Sequence, residues 1–292
     1  MDESIKFWQI LANSGKFWSG TLAVNSQLLE KVNRIAYQAG AAIMDIYREG
    51  DIVETSKPDG SPLTLADLAA HRTIIDGLTL LAPDVPILSE EASDIDYAER
   101  AQWARFWLVD PLDGTKEFIK HNGEFTVNIA LIESGQPVLG VVYAPVLDVC
   151  YCAARGTGAF VRRGKCPMQA IHVKSHAADE TIKVVASRSH SDARTEALLK
   201  QLGDYQCVSM GSSLKLCLVA EGAAHFYPRL GPTMEWDTAA AHAVVNEAGG
   251  RVCDLAGVEL HYNKQDLHNP EFLVLPVDDE ILIMLLNKRL SC

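Results

Sequence analysis

The amino-acid sequence predicts an α+β protein, because its hydrophobic residues follow a helical, then a strand-like, then an alternating pattern. Apolar residues recur at helical spacing between Leu28 and Ile46. Apolar runs of strand length follow at 125–132, 138–143 and 149–153. Beyond about residue 160, strand-length and helix-length patterns alternate. We therefore expect helices packed on a largely antiparallel sheet in the first half and an alternating unit in the second.

Two helices are predicted near the start of the chain. The first follows the polar residues Asn25 and Ser26 and ends by Gly50, which is a common helix terminator. The second begins beyond Pro62, because proline is tolerated at a helix start and not in its interior. This boundary places Asp67 near the beginning of the second helix.

Short apolar runs that end in acidic residues are the next feature. Val85–Leu88 and Phe106–Val109 both have this form, which is typical of buried strands that deliver carboxylates at their C-terminal ends. In the second half we expect strands at 182–186, 207–210 and 224–227, and helices that begin at about 192, 212 and 237.

The composition excludes several classes of partner. The formal net charge is −12, and the longest basic cluster is the pair Arg162 and Arg163, so nucleic acid and anionic lipid are not expected to bind. A small anionic ligand stays compatible, because local cations or metal ions outweigh the average field. No apolar run approaches the roughly 20 residues of a membrane-spanning helix, and Met1–Val24 lacks the pattern of a signal peptide. These observations favour a cytoplasmic protein.

The seven cysteines are odd in number and lack the spacing of a metal site, which indicates a reducing compartment. Cys150 and Cys152 lie two residues apart in an apolar run, so they share one face of a predicted strand. Neighbouring thiols in such a position more often pack in a core than bind a metal.

The string from Asp110 to Thr115 combines two carboxylates, a proline and a glycine at the end of a predicted strand. Asp110 and Asp113 would lie near one point, where the backbone carbonyl of Leu112 could join them around a divalent cation that prefers oxygen ligands. Gly114 and Thr115 would then open a helix whose free N–H groups can hold phosphate oxygens. The alternative is a turn in which Asp113 caps the helix, and for such a string alone this is the more frequent case.

Two further acidic sites accompany this string, and each alone would more often be a helix cap or a solvated carboxylate. Taken together, three strings resemble the signatures of the lithium-sensitive inositol monophosphatase superfamily in order and spacing. They are ILSEE at 87–91, WLVDPLDGTKEFI at 107–119 and WDTAAAHAVVNEAGG at 236–250, and residues 57–67 match that superfamily too. The resemblance extends from about residue 26 to the C-terminus.

The resemblance implies a layered αβαβα fold and a metal-dependent phosphatase. The implied ligands of two or three Mg²⁺ ions are Glu90, Asp110, the carbonyl of Leu112, Asp113 and Asp237. Four acids brought together without cations would repel one another, whereas metal ions make the assembly favourable. By analogy, Asp67 and Thr115 orient and deprotonate the attacking water, with the carboxylate as the proton acceptor because threonine alone is not a strong base.

Strings in the second half resemble the bisphosphate nucleotidase branch of the superfamily, namely SRSH at 187–190 and GSSLK at 211–215. The implied substrate-binding residues are Gly114, Thr115, Ser187, His190, Gly211, Lys215, Arg229 and Asp237, with Arg229 the weaker candidate. Taken singly, His190 would more often be a polar surface histidine and Lys215 a solvated helix lysine. The motif context reverses that preference.

The favoured hypothesis is a Mg²⁺-dependent phosphatase that converts adenosine 3′,5′-bisphosphate to AMP and phosphate, with a small nucleotide as its partner. The expected organisation is an N-terminal extension at 1–25, a metal-binding half at 26–160 and a half at 161–292 that carries substrate specificity. Two alternatives stay open: an inositol or sugar phosphatase of the same superfamily, and a non-catalytic relative that binds RNA or a protein. Peripheral attachment to the cytoplasmic face of the inner membrane also stays open.

Overall fold

Five alternating layers of helices and sheets make up the fold, which confirms the αβαβα arrangement that the sequence resemblance implied. The computed structural model describes residues 22–49, 54–56, 62–177, 179–186, 193–200 and 202–279. The helices are α1 (Ser26–Glu49), α2 (Leu65–Leu81), α3 (Tyr97–Arg100), α4 (Thr115–Ile119), α5 (Ala193–Lys200), α6 (Leu214–Ala220) and α7 (Glu235–Glu247). The outer layers are α1 with α2 on one side and α5 on the other, and α6 and α7 lie between the two sheets.

The larger sheet has seven strands in sequential order. They are β3 (Ile87–Ser89), β4 (Arg105–Asp113), β5 (Thr126–Glu133), β6 (Gln136–Ala144), β7 (Val149–Ala154), β8 (Gly158–Arg163) and β9 (Gln169–Ile171). All neighbours are antiparallel except β3 and β4, which are parallel. Because these two strands run in the same direction, their C-terminal ends meet at one edge of the sheet. Strands β8 and β9 carry this sheet past residue 160. The division of the chain into halves at that position stays a prediction.

Both faces of this sheet are buried, which explains why its central strands are almost continuously apolar. Along β4, Trp107 and Val109 pack in the core beneath α1 and α2, whereas Phe106 and Leu108 pack in the core shared with α7. The alternation follows from the two-residue period of a strand. Cys150 and Cys152 are likewise buried side by side on the face beneath α1, as the sequence predicted.

The smaller strands complete the fold. Two parallel strands, β10 (Ile182–Ala186) and β11 (Tyr205–Ser209), lie next to three antiparallel strands, β12 (Tyr227–Arg229), β14 (Phe272–Pro276) and β13 (Gly250–Asp254). An isolated parallel bridge between Val184 and Phe226 connects the two groups. A separate hairpin pairs β1 (Glu54–Ser56) with β2 (Pro62–Thr64). Within the described ranges, no helix combines the length and the apolar character needed to cross a membrane.

Helix α2 starts slightly later than the proline suggested, at Leu65, because Pro62–Thr64 pairs as a strand. Thr64 is the N-cap of α2, and its side chain accepts a hydrogen bond from the backbone N–H of Ala66 at 3.2 Å. Asp67 completes a capping box by accepting from the backbone N–H of Thr64 at 2.7 Å. The cap therefore fixes Asp67 on the first turn of the helix.

Helix α7 lies unusually close to strand β6. A Cβ atom added to Gly140 would overlap the carbonyl of Ala240 and lie 2.9 Å from Cβ of Ala243. Only glycine permits this approach, which brings the N-terminal end of α7 to the edge of the sheet where β4 ends.

We expect Gly140→Ala to lower the free energy of unfolding by about 1–3 kcal/mol, because the helix must move away from the sheet to admit one methyl group. Urea unfolding measures the change. Gly231→Ala is the matched control, since its new methyl group would meet only the Arg229 guanidinium at an ordinary 3.7 Å. Equal stability of the two variants would contradict the close approach of α7 and β6.

Candidate active site

A β-bulge at the end of β4 turns Asp110 and Asp113 toward the same place. Residues three apart on a regular strand point to opposite faces. Here Asp110 pairs with Asn128 and Asp113 pairs with Thr126, so β4 contains one residue more than β5 across this interval. The loop is held by the carboxylate of Asp110, which accepts a hydrogen bond from the backbone N–H of Leu112 at 3.0 Å. The extra residue thus creates a pair of converging carboxylates.

The third carboxylate comes from the first turn of α7. Asp237 accepts a hydrogen bond from the backbone N–H of Met234 at 2.9 Å, which orients it as part of the helix N-cap. One oxygen from each of Asp110, Asp113 and Asp237 lies within 4.8 Å of the others. Glu90 follows the end of β3, where its backbone N–H donates to the carbonyl of Val109 at 3.0 Å. Three chain segments therefore bring acids to one edge of the sheet.

Burial and mutual repulsion make this cluster costly when its members are ionised. Burial, and then the charges of Glu90, Asp113 and Asp237, hold the pKa of Asp110 well above its usual range. The pKa of Asp237 is raised strongly for the same reasons, burial first and Asp113 next. Burial raises the pKa of Asp113 to about 6, although the charge of Lys215 and the N–H of Ser213 oppose the rise. A bound divalent cation would reverse this penalty, and an all-oxygen donor set suits Mg²⁺ or a similar hard cation.

A second functional pair lies beside the acids. Asp67 is buried, and its Oδ2 accepts from the hydroxyl and the N–H of Thr64 at 2.6 and 2.7 Å. Its other oxygen, Oδ1, accepts a hydrogen bond from the hydroxyl of Thr115 at 3.3 Å. The same hydroxyl is 3.4 Å from the carbonyl oxygen of Leu112. The geometry therefore places the Thr115 hydroxyl between a carboxylate acceptor and the carbonyl expected to bind metal.

Ser213 belongs to the site but was not singled out from the sequence. Its backbone N–H donates to Oδ2 of Asp113 at 2.5 Å. Its hydroxyl lies 2.8 Å from Oδ1 of Asn128 and 2.8 Å from the hydroxyl of Thr126. All four side chains of this group are at least partly buried. The only sequence signal was the paired serine at the start of a predicted helix, which usually indicates a cap.

Lys215 is a buried cation close to the acids, with only 8% of its surface exposed. Burial lowers the pKa of its ammonium group, and the nearby charge of Asp113 partly offsets that effect. Its Nζ lies 6.0 Å from the centre of the Tyr227 ring. Arg229, on the same strand as Tyr227, donates to the carbonyl of Pro232 at 3.0 Å and has a buried Nε without a hydrogen-bond partner. Lys215 is thus not the solvated helix lysine that its position alone suggested.

Of the remaining predicted residues, the structure describes two glycines and does not describe Ser187 and His190. Gly114 has a φ of 93°, a left-handed conformation that favours glycine, and it directly precedes α4. Gly211 packs closely against the backbone at Glu124, because an added Cβ would lie 2.7 Å from the Glu124 carbonyl oxygen. Ser187 and His190 lie outside the described residues, so their roles stay predictions.

Comparison with known proteins gives consistent matches over most of the chain. A model of the inositol monophosphatase family matches residues 25–289. The 3′(2′),5′-bisphosphate nucleotidase CysQ of Shigella flexneri is 52% identical over 251 residues, covering 85% of this chain and 99% of that protein. The crystal structure of CysQ from Bacteroides thetaiotaomicron aligns with a TM-score of 0.75 and 43% identity, covering 86% of this chain and 97% of that one. The Thermotoga maritima IMPase aligns with a TM-score of 0.74 and 25% identity, covering 91% and 99%.

The raised pKa of Asp113 predicts a pH dependence of stability in metal-free protein. The folded state keeps a proton up to a pH of about 6, whereas an ordinary aspartate loses it near 3.8. The free energy of unfolding should therefore fall as pH rises through this window, and Asp113→Asn should remove up to about 3 kcal/mol of the fall.

Urea unfolding in EDTA at pH 4, 5, 6 and 7 measures this effect. Asp84→Asn, at an exposed position, is the control and should keep the wild-type slope. A wild-type slope in Asp113→Asn would contradict the assigned cost of ionising this carboxylate.

Proposed function

The chain belongs to the inositol monophosphatase family of metal-dependent phosphatases, and we propose that it removes the 3′-phosphate from adenosine 3′,5′-bisphosphate to give AMP and phosphate. The observation that carries this assignment is the 52% identity to a 3′(2′),5′-bisphosphate nucleotidase over nearly its whole length. The structure supplies the complementary feature, a buried group of converging carboxylates beside a Thr–Asp pair. The chain is accordingly an enzyme that hydrolyses a phosphoric monoester.

We propose Mg²⁺ as the cofactor, with two or three ions per site. The proposed ligands are the carboxylates of Glu90, Asp110, Asp113 and Asp237 and the carbonyl of Leu112. When bound, such ions neutralise phosphate charge and lower the pKa of a coordinated water. The carboxylates themselves support the proposal, because their strong mutual repulsion calls for a compensating cation.

The Thr115 hydroxyl and the Asp67 carboxylate form the proposed proton-accepting pair. The hydroxyl donates to Asp67 at 3.3 Å, so its lone pairs are available to accept from an attacking water. As the water oxygen bonds to phosphorus, its proton moves to the threonine oxygen while the threonine proton moves to Asp67. The bond between phosphorus and the 3′-oxygen breaks, and that oxygen takes a proton from solvent to become the hydroxyl of AMP. The cap contacts of Asp67 with Thr64 hold the acceptor oxygen in place during this transfer. The backbone N–H groups of Gly114 and Thr115, at the start of α4, are the proposed contacts to the phosphate.

The phosphate that stays on the product requires positive charge beyond that of the proposed metal ions. Lys215 and Arg229 supply two positive charges near one another, as the lowering of the Lys215 pKa by Arg229 indicates. Two like charges held close together are costly unless an anion compensates them. An inositol monophosphate offers only hydroxyl groups at that position, so this pair favours the bisphosphate nucleotide. Ser187, His190 and Gly211 are the further proposed contacts to the nucleotide.

We expect Asp110→Asn to abolish turnover of adenosine 3′,5′-bisphosphate while raising the Tm of the metal-free protein, because one of the repelling charges is removed. The Tm increase that Mg²⁺ causes in the wild type should shrink in the variant. Phosphate release and thermal unfolding, with and without Mg²⁺, measure the two effects. Asp84→Asn serves as the control. Full Mg²⁺-dependent activity in Asp110→Asn would exclude this residue from the ligand set.

A second prediction tests substrate choice. Charge-assisted contacts contribute about 1.5–3 kcal/mol, so Lys215→Ala should lower kcat/KM for adenosine 3′,5′-bisphosphate about ten- to hundredfold. Turnover of inositol 1-phosphate should change little, because this substrate lacks the second phosphate. Lys200→Ala, at an exposed lysine that ends helix α5, should affect neither substrate.

The position of Lys215 beside Asp113 makes the comparison of the two substrates decisive. Equal losses on both would place Lys215 at the phosphate that is cleaved. No loss on either would remove it from the substrate site, and the nucleotide contacts would then rest on Ser187 and His190.

A further inference from the structure

Two cysteines and a methionine lie close together beneath helix α1, far along the sheet from the acidic cluster. Cys150 and Cys152 on β7 are both fully buried, and both contact the side chain of Asn33. Met168 follows β8, and its Sδ lies 4.0 Å from Sγ of Cys152. Strand β7 is three strands from β4 in the sheet, so this group is separate from the proposed catalytic site.

Polar groups around the two thiols hold them in a fixed orientation. Asn33 on α1 bridges them, donating from Nδ2 to Sγ of Cys152 at 3.5 Å and accepting from Sγ of Cys150 at 3.6 Å. Tyr37 packs against the core that contains both cysteines. The guanidinium of Arg162 lies 4.3 Å from the centre of the Tyr37 ring. Outer groups of this kind orient sulfur ligands.

Met168 is the member of the group that borders solvent. It is 40% exposed, whereas both cysteines have no exposed surface. The group therefore lies at the margin of the core, next to a partly exposed side chain.

We propose that Cys150, Cys152 and Met168 form a binding site for a thiophilic monovalent cation, Cu(I) or Ag(I). Two thiolates and one thioether are soft ligands that select such ions. Three sulfurs arranged in a plane around an ion, each about 2.3 Å from it, lie about 4.0 Å from one another. The Cys152–Met168 separation matches this spacing. Each cysteine that binds the ion releases its proton to solvent, so no oxidant or reductant is required.

Zinc fits the site less well. Structural zinc sites take four ligands from cysteine, histidine and carboxylate side chains. In the part of the chain that the structure describes, the acidic cluster is the one group of three or more such residues close enough to share an ion. The sulfur site therefore lacks the extra ligands that a tetrahedral zinc site needs. The geometry that the site offers is an ion coordinated by three sulfur atoms.

The test uses the full chain with Cys166, Cys207 and Cys292 replaced by serine, because the first two are exposed thiols that would bind the ion separately. Cu(I) is supplied anaerobically in competition with the chelator bathocuproine disulfonate. We expect one equivalent of Cu(I) to be retained, with X-ray absorption showing three sulfur ligands. Cys152→Ser should abolish this binding, and Met168→Leu should weaken it about tenfold or more.

Met168→Leu distinguishes loss of the ion site from misfolding. It changes a partly exposed side chain and should leave nucleotide hydrolysis unchanged. Cys217→Ser, at a buried cysteine outside the group, is the control and should keep the bound equivalent. Unchanged Cu(I) affinity in either Cys152→Ser or Met168→Leu would overturn the proposal, as would spectra with two sulfur ligands. Failure of nucleotide hydrolysis in the parent chain and in every variant would count against the proposed function. The Cu(I) results would still decide this site.

Discussion

Repulsion among buried carboxylates is the constraint on which the rest of the structure depends. Oxygens of Asp110, Asp113 and Asp237 lie within 4.8 Å of one another, with Asp110 fully buried and the other two half-buried. Burial and the neighbouring charges raise the pKa of Asp110 and of Asp237, so the ionised form of the group is unfavourable without a cation. The fold must therefore supply enough packing energy to hold the acids together, and a cation must compensate them when the enzyme works.

The packing that holds the acids comes from both parts of the chain. The core beneath α1 and α2 fixes β4 from one side, and the core beneath α7 fixes it from the other. The absence of a side chain at Gly140 lets α7 approach the sheet and brings Asp237 to the end of β4. Ser213 joins the second half to Asp113 by a direct hydrogen bond. Because a proposed metal ligand and the start of the helix that carries Lys215 are connected in this way, the proposed substrate site and the proposed metal site share one support.

The sequence predicted the layered fold, the family and the proposed chemistry, because the acid-rich strings are specific when they occur jointly. It also predicted that Cys150 and Cys152 would pack on one face of a strand, and the structure confirms this. It missed Ser213, whose role depends on a contact across 100 residues that no local pattern encodes. It also left open whether Lys215 was solvated, since helical position alone does not say which face is covered.

The sequence by itself determined the features that depend only on residues close together in the chain. A strand ending in acids, a capping box around Asp67 and a glycine before a short helix are each set by residues a few positions apart. Tertiary structure alone decided the rest: the bulge that turns Asp110 and Asp113 to one side, the burial of Lys215, and the approach of Met168 to Cys152. These features depend on the register of neighbouring strands and on which surfaces the helices cover. Both are fixed by the packing of the whole chain, because a shift of one residue would move every side chain to the opposite face.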